Sequence, residues 1–333
     1  MKSRSSKRTA AIIAALIIVN IAVMLASVAL GSVKLSLKEI ITGLFSVNEN
    51  DGINAIVGSI RLPRMLGALL AGIAFAVSGL LLQTVTDNKL CAPNIIGINS
   101  GAGFFVMLLL CVFPTLWRFS SLAAFIGAIL VAFAVMGIAG RLNRGKTETL
   151  ILAGVAVSSL FSAGISFLSV RFPDALGSYA SFSVGGFSGV YLDELLIPAI
   201  IIVIFTVFAA FLSPKLNTLC LGDSMARTLG TNVSLLRIFS VIAAAALSAA
   251  AVSFAGLIGF VGLIVPNLAR RLVGSDVRKL LPTTALLGSA ILTLSDLLGR
   301  ILIAPSEIPS GIIMSFLGVP FFLFLLLKRR GNK

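Results

Sequence analysis

The chain has 333 residues, of which 58% are hydrophobic and 11% charged, and its formal net charge is +14. A soluble domain carries charge on about 25% of its residues, so this composition excludes an ordinary water-facing surface. Cys91, Cys111 and Cys220 show no CxxC spacing and the sequence contains no histidine. Neither a disulfide framework nor a histidine-based metal or acid–base site is therefore indicated.

Apolar runs of about 20 residues, long enough to cross a bilayer as helices, recur along the chain between short polar breaks. They predict an all-α polytopic membrane protein with about ten transmembrane helices in one domain over residues 1–333. The predicted spans are 10–30, 64–85, 97–114, 121–139, 149–169, 193–212, 235–254, 257–272, 281–298 and 309–327. Ten spans divide into two halves of five. An odd number of spans in each half predicts that the two halves have inverted topology.

The basic N-terminus followed by an apolar run to Leu30 has features of a signal peptide. The run is longer than the core of about 7–15 residues that such peptides carry. We therefore expect an uncleaved first span.

The segment from Leu235 to Leu272 contains no polar loop, only the glycine-rich centre FAGLIGFVGL. As one helix it would be about 57 Å long, almost twice a hydrocarbon core of roughly 30 Å. We expect the chain to turn back at these glycines, where a tight reversal costs least.

The basic residues lie in short polar breaks rather than in one patch, so they indicate membrane orientation and not nucleic-acid binding. With ten spans and a cytoplasmic N-terminus, most of the 26 lysines and arginines fall on the inner side. The outer ones are Lys34, Lys38, Arg61, Arg64, Arg118, Arg171 and Arg300. Nine spans would place the tail KRRGNK outside, against the positive-inside rule. We therefore expect both termini in the cytoplasm.

No catalytic constellation is apparent, because the 12 acidic residues lie almost entirely in loops and no phosphate-binding glycine loop is present. This argues against an enzyme and favours transport. A bare metal cation would need carboxylate, histidine or thiolate ligands along its path, and the predicted spans offer no such set. A transported metal would therefore travel already chelated.

Two features of the spans leave a structural and a functional interpretation open. Asp296 and Arg300 lie four residues apart near the outer end of the ninth span, either as a local ion pair or as an ion-coupling site. Ser158, Ser162 and Ser166 form a hydroxyl stripe on one face of the fifth span. In the structural interpretation these small residues pack against a neighbouring helix, as is common in lipid. In the functional interpretation they form a weakly polar wall along a translocation pathway.

The polar segment LGDSMARTLG, residues 221–230, lies in the longest predicted inner loop, 213–234. Gly222 and Gly230 bracket a predicted helix of about two turns, with Asp223 at its N-terminus, where an acid offsets the helix dipole. By position this helix is either a docking element for a cytoplasmic partner or ordinary loop structure.

Five segments carry a resemblance that extends from the first span to the last. They are RLPRMLGALLAGIAFAVSGLLLQTVTDNKLCAPNIIGINSGAG (61–103), LILAGVAVSSL (150–160), LGDSMARTLG (221–230), GLIGFVGLIVPNLARRLVGSDVRKLLP (256–282) and SDLLGRILIAPSEIPSGIIMSFLGVPFFLFLL (295–326). In this order they resemble the permease subunits of ATP-driven importers for ferric siderophores, haem and cobalamin. The chain departs from that family at Asn267, where a histidine is usual, and at Phe182, where a tryptophan is frequent.

The resemblance implies the BtuC-like fold of type II ABC importer permeases, in a bacterial cell membrane. It implies a second permease copy or a homologous permease, a cytoplasmic ABC ATPase dimer that binds the ATP and magnesium, and an extracytoplasmic substrate-binding lipoprotein. The chain itself would hold no cofactor and no metal. A ferric siderophore is the expected cargo, haem or cobalamin are alternatives, and a secondary carrier without an ATPase is a more distant one.

The resemblance also assigns residues to roles. Contact with the ATPase is carried onto the segment at 221–230, as Gly222, Asp223, Ser224, Ala226, Arg227, Leu229 and Gly230. Docking of the binding protein is carried onto Arg61, Arg64 and Arg300. The serine stripe of the fifth span is assigned to the translocation pathway.

Overall fold

The computed structural model describes residues 2–31, 56–142 and 147–330, and these residues form helices joined by short turns. The α-helices are α1 (Lys2–Ala29), α2 (Leu62–Val85), α3 (Ile98–Val112), α4 (Ser120–Leu142), α5 (Thr147–Arg171), α6 (Leu176–Val184), α7 (Leu192–Leu219), α8 (Asp223–Thr228), α9 (Val233–Ala255), α10 (Val261–Val273), α11 (Val277–Ile301) and α12 (Ser310–Arg330). Pro93–Ile96, Pro114–Phe119 and Pro173–Ala175 form 3₁₀ turns, and Ile56–Arg61 is a π-helical turn that continues into α2. The predicted all-α class is confirmed.

Among the described residues, seven helical segments are long and apolar enough to cross a bilayer, and they correspond to α1, α2, α4, α5, α7, α9 and α11. Two shorter apolar helices, Ile98–Val112 and Ser310–Leu323, cover the third and the last predicted spans. The eighth predicted span contains α10, which has 13 residues and is therefore only about 20 Å long. Every predicted span thus lies on a helix, while the membrane boundaries and the inverted halves remain predictions.

The segments between the predicted spans are partly helical. The inner loop expected at 213–234 begins later, because α7 continues through Pro214 to Leu219. Between α5 and α7 the chain forms the short helix α6. Residues 32–55, between the first two predicted spans, lie outside the described residues.

The reversal predicted between Leu235 and Leu272 is confirmed. Helix α9 ends at Ala255 and α10 begins at Val261, and Gly256 has a φ of +70°, which a residue with a side chain adopts at a cost. By Asp276 the chain is back beside α7, where Asn217 donates a hydrogen bond to the Asp276 carboxylate over 2.7 Å. It has therefore returned to the end of the bundle at which α9 starts.

Helices α2 and α9 form the centre of the bundle and are largely buried, whereas α1, α5 and α7 are largely exposed. The central helices are rich in glycine and alanine, which let helix backbones approach closely in lipid. A methyl group added at Gly79 of α2 would collide with the backbone of Gly262 in α10, and one added at Gly72 would collide with Gly288 in α11. Helices α10 and α11 are therefore packed directly on α2.

Candidate functional sites at the two ends of the helical bundle

The polar segment after α7 forms the short helix α8, Asp223–Thr228. Gly222 and Gly230, with φ values of +97° and +78°, allow the chain to turn sharply into and out of it. The amide of Thr231 donates to the Ala226 carbonyl over 3.0 Å, which closes the segment. The predicted helix of about two turns between these glycines is confirmed.

One face of α8 presents apolar side chains to solvent. Met225 and Leu229 are 52% and 57% exposed, and Leu221, which precedes the helix, is also exposed. Met225 and Leu229 are four residues apart and lie above one another. Together with the exposed Leu221 we call them the apolar stripe of α8. Met225 was absent from the contact residues expected from sequence, whereas Ala226, which was among them, is fully buried and packs inside the chain.

Helix α8 is held to both helices that flank it. Asp223 forms an ion pair with Arg237 of α9, with 2.9 Å between Oδ1 and Nη2. Thr218, near the end of α7, and Thr231 place their hydroxyl oxygens 3.0 Å apart. The Asp223 carboxylate therefore joins α8 to α9, a contact that its position at a helix N-terminus did not predict. A displacement of α8 would be passed on to α7 and α9.

A second contact joins this end of the bundle to α11. The Asn217 amide donates from Nδ2 to Asp276 Oδ1 over 2.7 Å, and its Oδ1 accepts from the Val277 amide over 2.8 Å. Asp276 also caps α11 by accepting from the Arg278 amide. The C-terminal turn of α7 and the first turn of α11 are thus fixed to each other.

Helix α11 reaches from this contact to the opposite end of the bundle. Asp276 and Asp296 are 20 residues apart, which corresponds to about 30 Å along a helix and to the thickness of a hydrocarbon core. Asp296 therefore lies at the end opposite α8.

Asp296 is the centre of a group of charged and polar side chains, the Asp296 cluster, formed by Arg61, Arg64, Asp296, Arg300, Glu307 and Ser310. Asp296 is completely buried. Both of its oxygens accept from Arg64 Nε over 3.0 Å, and Oδ1 also accepts from the Ser310 hydroxyl over 3.0 Å. Arg300 Nε lies 3.3 Å from Oδ2. A buried carboxylate is thereby balanced by two guanidinium groups, as burial of a charge requires.

The remaining contacts of the cluster join it to α1 and to the turn 302–309. Arg300 donates to the carbonyl and the hydroxyl of Ser27, and Arg61 donates to the carbonyl oxygen of Val28 over 2.6 Å. Arg64 reaches outward as well, with Nη1 2.7 Å from Glu307 Oε2. The local ion pair anticipated between Asp296 and Arg300 is present, as one part of a larger network.

The docking role expected for Arg61, Arg64 and Arg300 remains a prediction, although none of the three side chains lies open at the surface. These arginines are only 5–6% exposed, because carbonyl and carboxylate oxygens from α1, α11 and the turn 302–309 surround their guanidinium groups. The positive-inside count places them at one membrane face, but spacing along the chain does not report which side chains turn inward. The exposed charged residue of the cluster is Glu307.

The serine stripe of α5 divides into two parts. A methyl group added at Gly97 would lie 2.9 Å from the Ser158 hydroxyl oxygen, so Ser158 packs against the turn before α3. Ser162 and Ser166 are exposed, and the Ser166 hydroxyl donates to the Ser162 carbonyl over 3.0 Å. Ser158 therefore contributes to packing, and a place on the translocation pathway remains a prediction for Ser158, Ser162 and Ser166.

Cys220 links α7 to the turn before α8 and is exposed to solvent. The surroundings of its thiol nevertheless raise its pKa, mainly through partial burial of the sulfur. The positive charge of Arg270 opposes this pKa shift, and the negative charge of Asp87 adds to it.

With the geometry of both ends established, comparison with known proteins identifies the relationship. Residues 16–328 match the FecCD transport family. The chain belongs to this family. Members are permease subunits of ABC transporters, multi-pass membrane proteins whose ATPase is a separate partner.

Curated relatives of the family are similar over nearly the whole chain. The Fe(3+)-citrate import system permease protein YfmE of Bacillus subtilis is 34% identical over 98% of each chain. The hemin transport system permease protein HmuU of Yersinia pestis is 35% identical over 96% of each chain. The iron(3+)-hydroxamate import system permease protein FhuB of Bacillus subtilis is 35% identical over 91% of this chain and 79% of its own length.

Two solved structures share the fold. A chain described as an inward-facing conformation of a metal-chelate type ABC transporter is 31% identical, with a TM-score of 0.82 over 95% of this chain and 99% of its own. PsaBC from Streptococcus pneumoniae, at 17% identity and a TM-score of 0.59, is similar in fold alone. The FecCD assignment and the helical architecture therefore agree.

Proposed function

We propose that this chain is the membrane permease of an ABC importer for a ferric siderophore complex, driven by a cytoplasmic ATPase and supplied by an extracytoplasmic binding protein. The full-length similarity to the Fe(3+)-citrate permease YfmE, at 34% identity over 98% of both chains, is the observation that carries the proposal. The similarity to the hydroxamate permease FhuB adds to it.

The side chains at helix depth suit a chelated rather than a bare metal. Asp296 is the buried carboxylate among the described residues, and Arg64 and Arg300 already neutralise it. The described residues contain no group of three or more histidine, cysteine or acidic side chains. Iron that passes this chain would therefore keep the ligands of its chelator.

We assign ATPase contact to α8 and its flanking turns. An exposed stripe of Leu221, Met225 and Leu229 fits a protein groove that excludes water from apolar side chains. The ion pair from Asp223 to Arg237 and the contact from Asn217 to α11 carry any movement of this helix into the bundle. In this assignment α8 faces the cytoplasm, and the Asp296 cluster faces the binding protein.

Uptake by the reconstituted importer tests the proposal. Proteoliposomes that contain this chain and the ATPase from the same transport system should accumulate radioactive iron from its ferric-siderophore complex when ATP and the binding protein are supplied. Deletion of residues 222–230 should abolish ATPase association while the chain still inserts into membranes. Accumulation without the ATPase, dissipated by ionophores, would instead establish a secondary carrier.

Hemin is the second candidate cargo, because HmuU of Yersinia pestis is 35% identical over 96% of both chains. The same proteoliposomes distinguish the two cargoes by competition. Excess unlabelled hemin should leave uptake of the ferric siderophore unchanged if the siderophore is the substrate, and should suppress it if hemin is preferred.

A further inference from the structure

The guanidinium group of Arg64 is divided between two carboxylates. Its Nε faces inward and donates to both oxygens of Asp296 over 3.0 Å. Its Nη1 faces the turn between α11 and α12 and donates to Glu307 Oε2 over 2.7 Å. The guanidinium group therefore pairs through Nε with Asp296 inside the bundle and through Nη1 with Glu307 on the outer side.

The two carboxylates differ in their exposure to solvent. Asp296 is completely buried and has a further hydrogen bond from Ser310. The Glu307 side chain is 42% exposed, whereas the Arg64 side chain is 7% exposed. Arg64 is therefore accessible to another molecule mainly where Glu307 now lies.

We propose that Glu307 occupies the position on Arg64 that a carboxylate of the docking binding protein takes, so that docking exchanges an internal ion pair for an intermolecular one. The inference rests on the proposed function, in which this end of the bundle receives the binding protein. The new element is Glu307, which on this view competes with the incoming carboxylate for Arg64.

The charges of the cluster support an exchange. Two carboxylates, Asp296 and Glu307, face three arginines of the cluster. When Glu307 turns into solvent, Arg64 Nη1 loses its acceptor and the excess of positive charge in the cluster grows, and an incoming carboxylate reverses both changes. A half-exposed ion pair contributes little to stability, so the protein loses little when Glu307 leaves. In the competing interpretation the ion pair from Arg64 to Glu307 is permanent and only fixes the turn 302–309 to α2.

Substitution of Glu307 separates these interpretations. In Glu307→Gln the competing charge is removed while the side chain keeps its size. Asp193→Asn is the matched control, because Asp193 is an exposed carboxylate at the start of α7, on the same predicted membrane face, and its replacement changes the net charge equally. Glu307→Asp is a second variant that keeps the charge and shortens the reach toward Arg64.

Binding is measured with the chain in nanodiscs and a soluble form of the substrate-binding protein of the same transport system. We expect Glu307→Gln to raise the association rate about 3–10-fold at low ionic strength, an increase that shrinks in high salt. Glu307→Asp should raise it less, and Asp193→Asn should leave it unchanged. An equal increase in the Asp193→Asn control would indicate a general charge effect and overturn the inference.

A readout without the partner completes the test. Phenylglyoxal modifies accessible arginines, and mass spectrometry of the peptide that contains Arg64 reports its rate. We expect faster modification of Arg64 in Glu307→Gln than in the wild-type chain or the Asp193→Asn control. Unchanged modification, or unchanged or weaker docking of Glu307→Gln, would overturn the inference while the docking proposal stands. If the wild-type chain does not bind the binding protein, the docking proposal itself fails and the inference fails with it.

Discussion

Asn217 at the end of α7 binds the Asp276 carboxylate and the Val277 amide with the two ends of one side-chain amide, over 2.7 and 2.8 Å. Gly222, the residue before α8, lies five positions after Asn217, and α11 continues from Asp276 to the Asp296 cluster. The contact therefore connects the proposed ATPase-contact helix to α11, in which Asp296 lies about 30 Å from Asp276. We infer that α11 transmits movement between the two ends.

Asn217→Asp should uncouple the two ends. It removes the amide donor and sets a second carboxylate against Asp276 at an exposed contact, which costs about 0.5–1.5 kcal/mol locally. We expect ATPase association to persist, while the stimulation of ATP hydrolysis by the binding protein falls several-fold. Asn232→Asp is the matched control, because Asn232 Oδ1 caps α9 by accepting from the Leu235 amide, and an aspartate can do the same. Equal behaviour of the two variants would contradict a coupling role for Asn217.

Met225→Ser and Leu229→Ser test the apolar stripe of α8. Burial of one such side chain contributes about 1.5–3 kcal/mol, so each change should weaken ATPase binding about tenfold or more. Pull-down of the ATPase from detergent extracts measures this. Ser234→Ala is the control, since Ser234 is exposed in the first turn of α9 and lies outside the segment assigned to ATPase contact. Retained binding in the double variant would assign ATPase contact elsewhere.

The sequence predicted features that depend on local spacing. Hydrophobic length located the helices, Gly222 and Gly230 located α8, and the interval from Asp296 to Arg300 located an ion pair, because residues four apart meet on a helix. Arg64, by contrast, reaches Asp296 across 232 positions of sequence, a contact that only the tertiary fold creates.

The inward or outward direction of side chains was also beyond sequence analysis. Ala226 and Met225 are neighbours in a polar segment, yet one is buried and the other exposed, because α8 lies against α7 and α9 on one side. Gly79 resembles any other glycine of an apolar helix, and its role as a contact point follows only from the approach of Gly262.

Asp296→Asn should destabilise the fold much more than Glu307→Gln. Loss of the buried carboxylate leaves Arg64 and Arg300 without their shared counter-charge, and breaking a buried ion pair in this way costs about 3–5 kcal/mol. Loss of the half-exposed Glu307 carboxylate costs about 0–1 kcal/mol. Thermal unfolding of the two variants in one detergent measures the difference. Equal melting temperatures would show that the Asp296 cluster does not hold α1, α2 and α11 together.

Gly79→Ala should separate α10 from α2. The added methyl group would overlap the backbone of Gly262, so the helices must move apart and weaken the hydrogen bond from Gln83 Nε2 to the Gly262 carbonyl, now 3.0 Å. We expect a lower melting temperature and loss of transport. Gly137→Ala is the control, because no atom lies within 4 Å of a methyl group at Gly137 in α4 and alanine favours a helix. Similar stability of both variants would contradict the close packing of α2 on α10.

Labelling of the native Cys220 tests the proposed orientation of the chain. Cys220 is exposed two residues before Gly222, so in a Cys91→Ser, Cys111→Ser background a membrane-impermeant maleimide should label it in inverted vesicles and not in intact cells. The thiolate is the reactive form, and its pKa is raised above the ordinary value, chiefly by partial burial. Labelling in inverted vesicles should therefore be slower than that of a free thiol at neutral pH and rise about tenfold per pH unit until the pH reaches the raised pKa. Ready labelling in intact cells would place α8 outside and reverse the assignment of both ends.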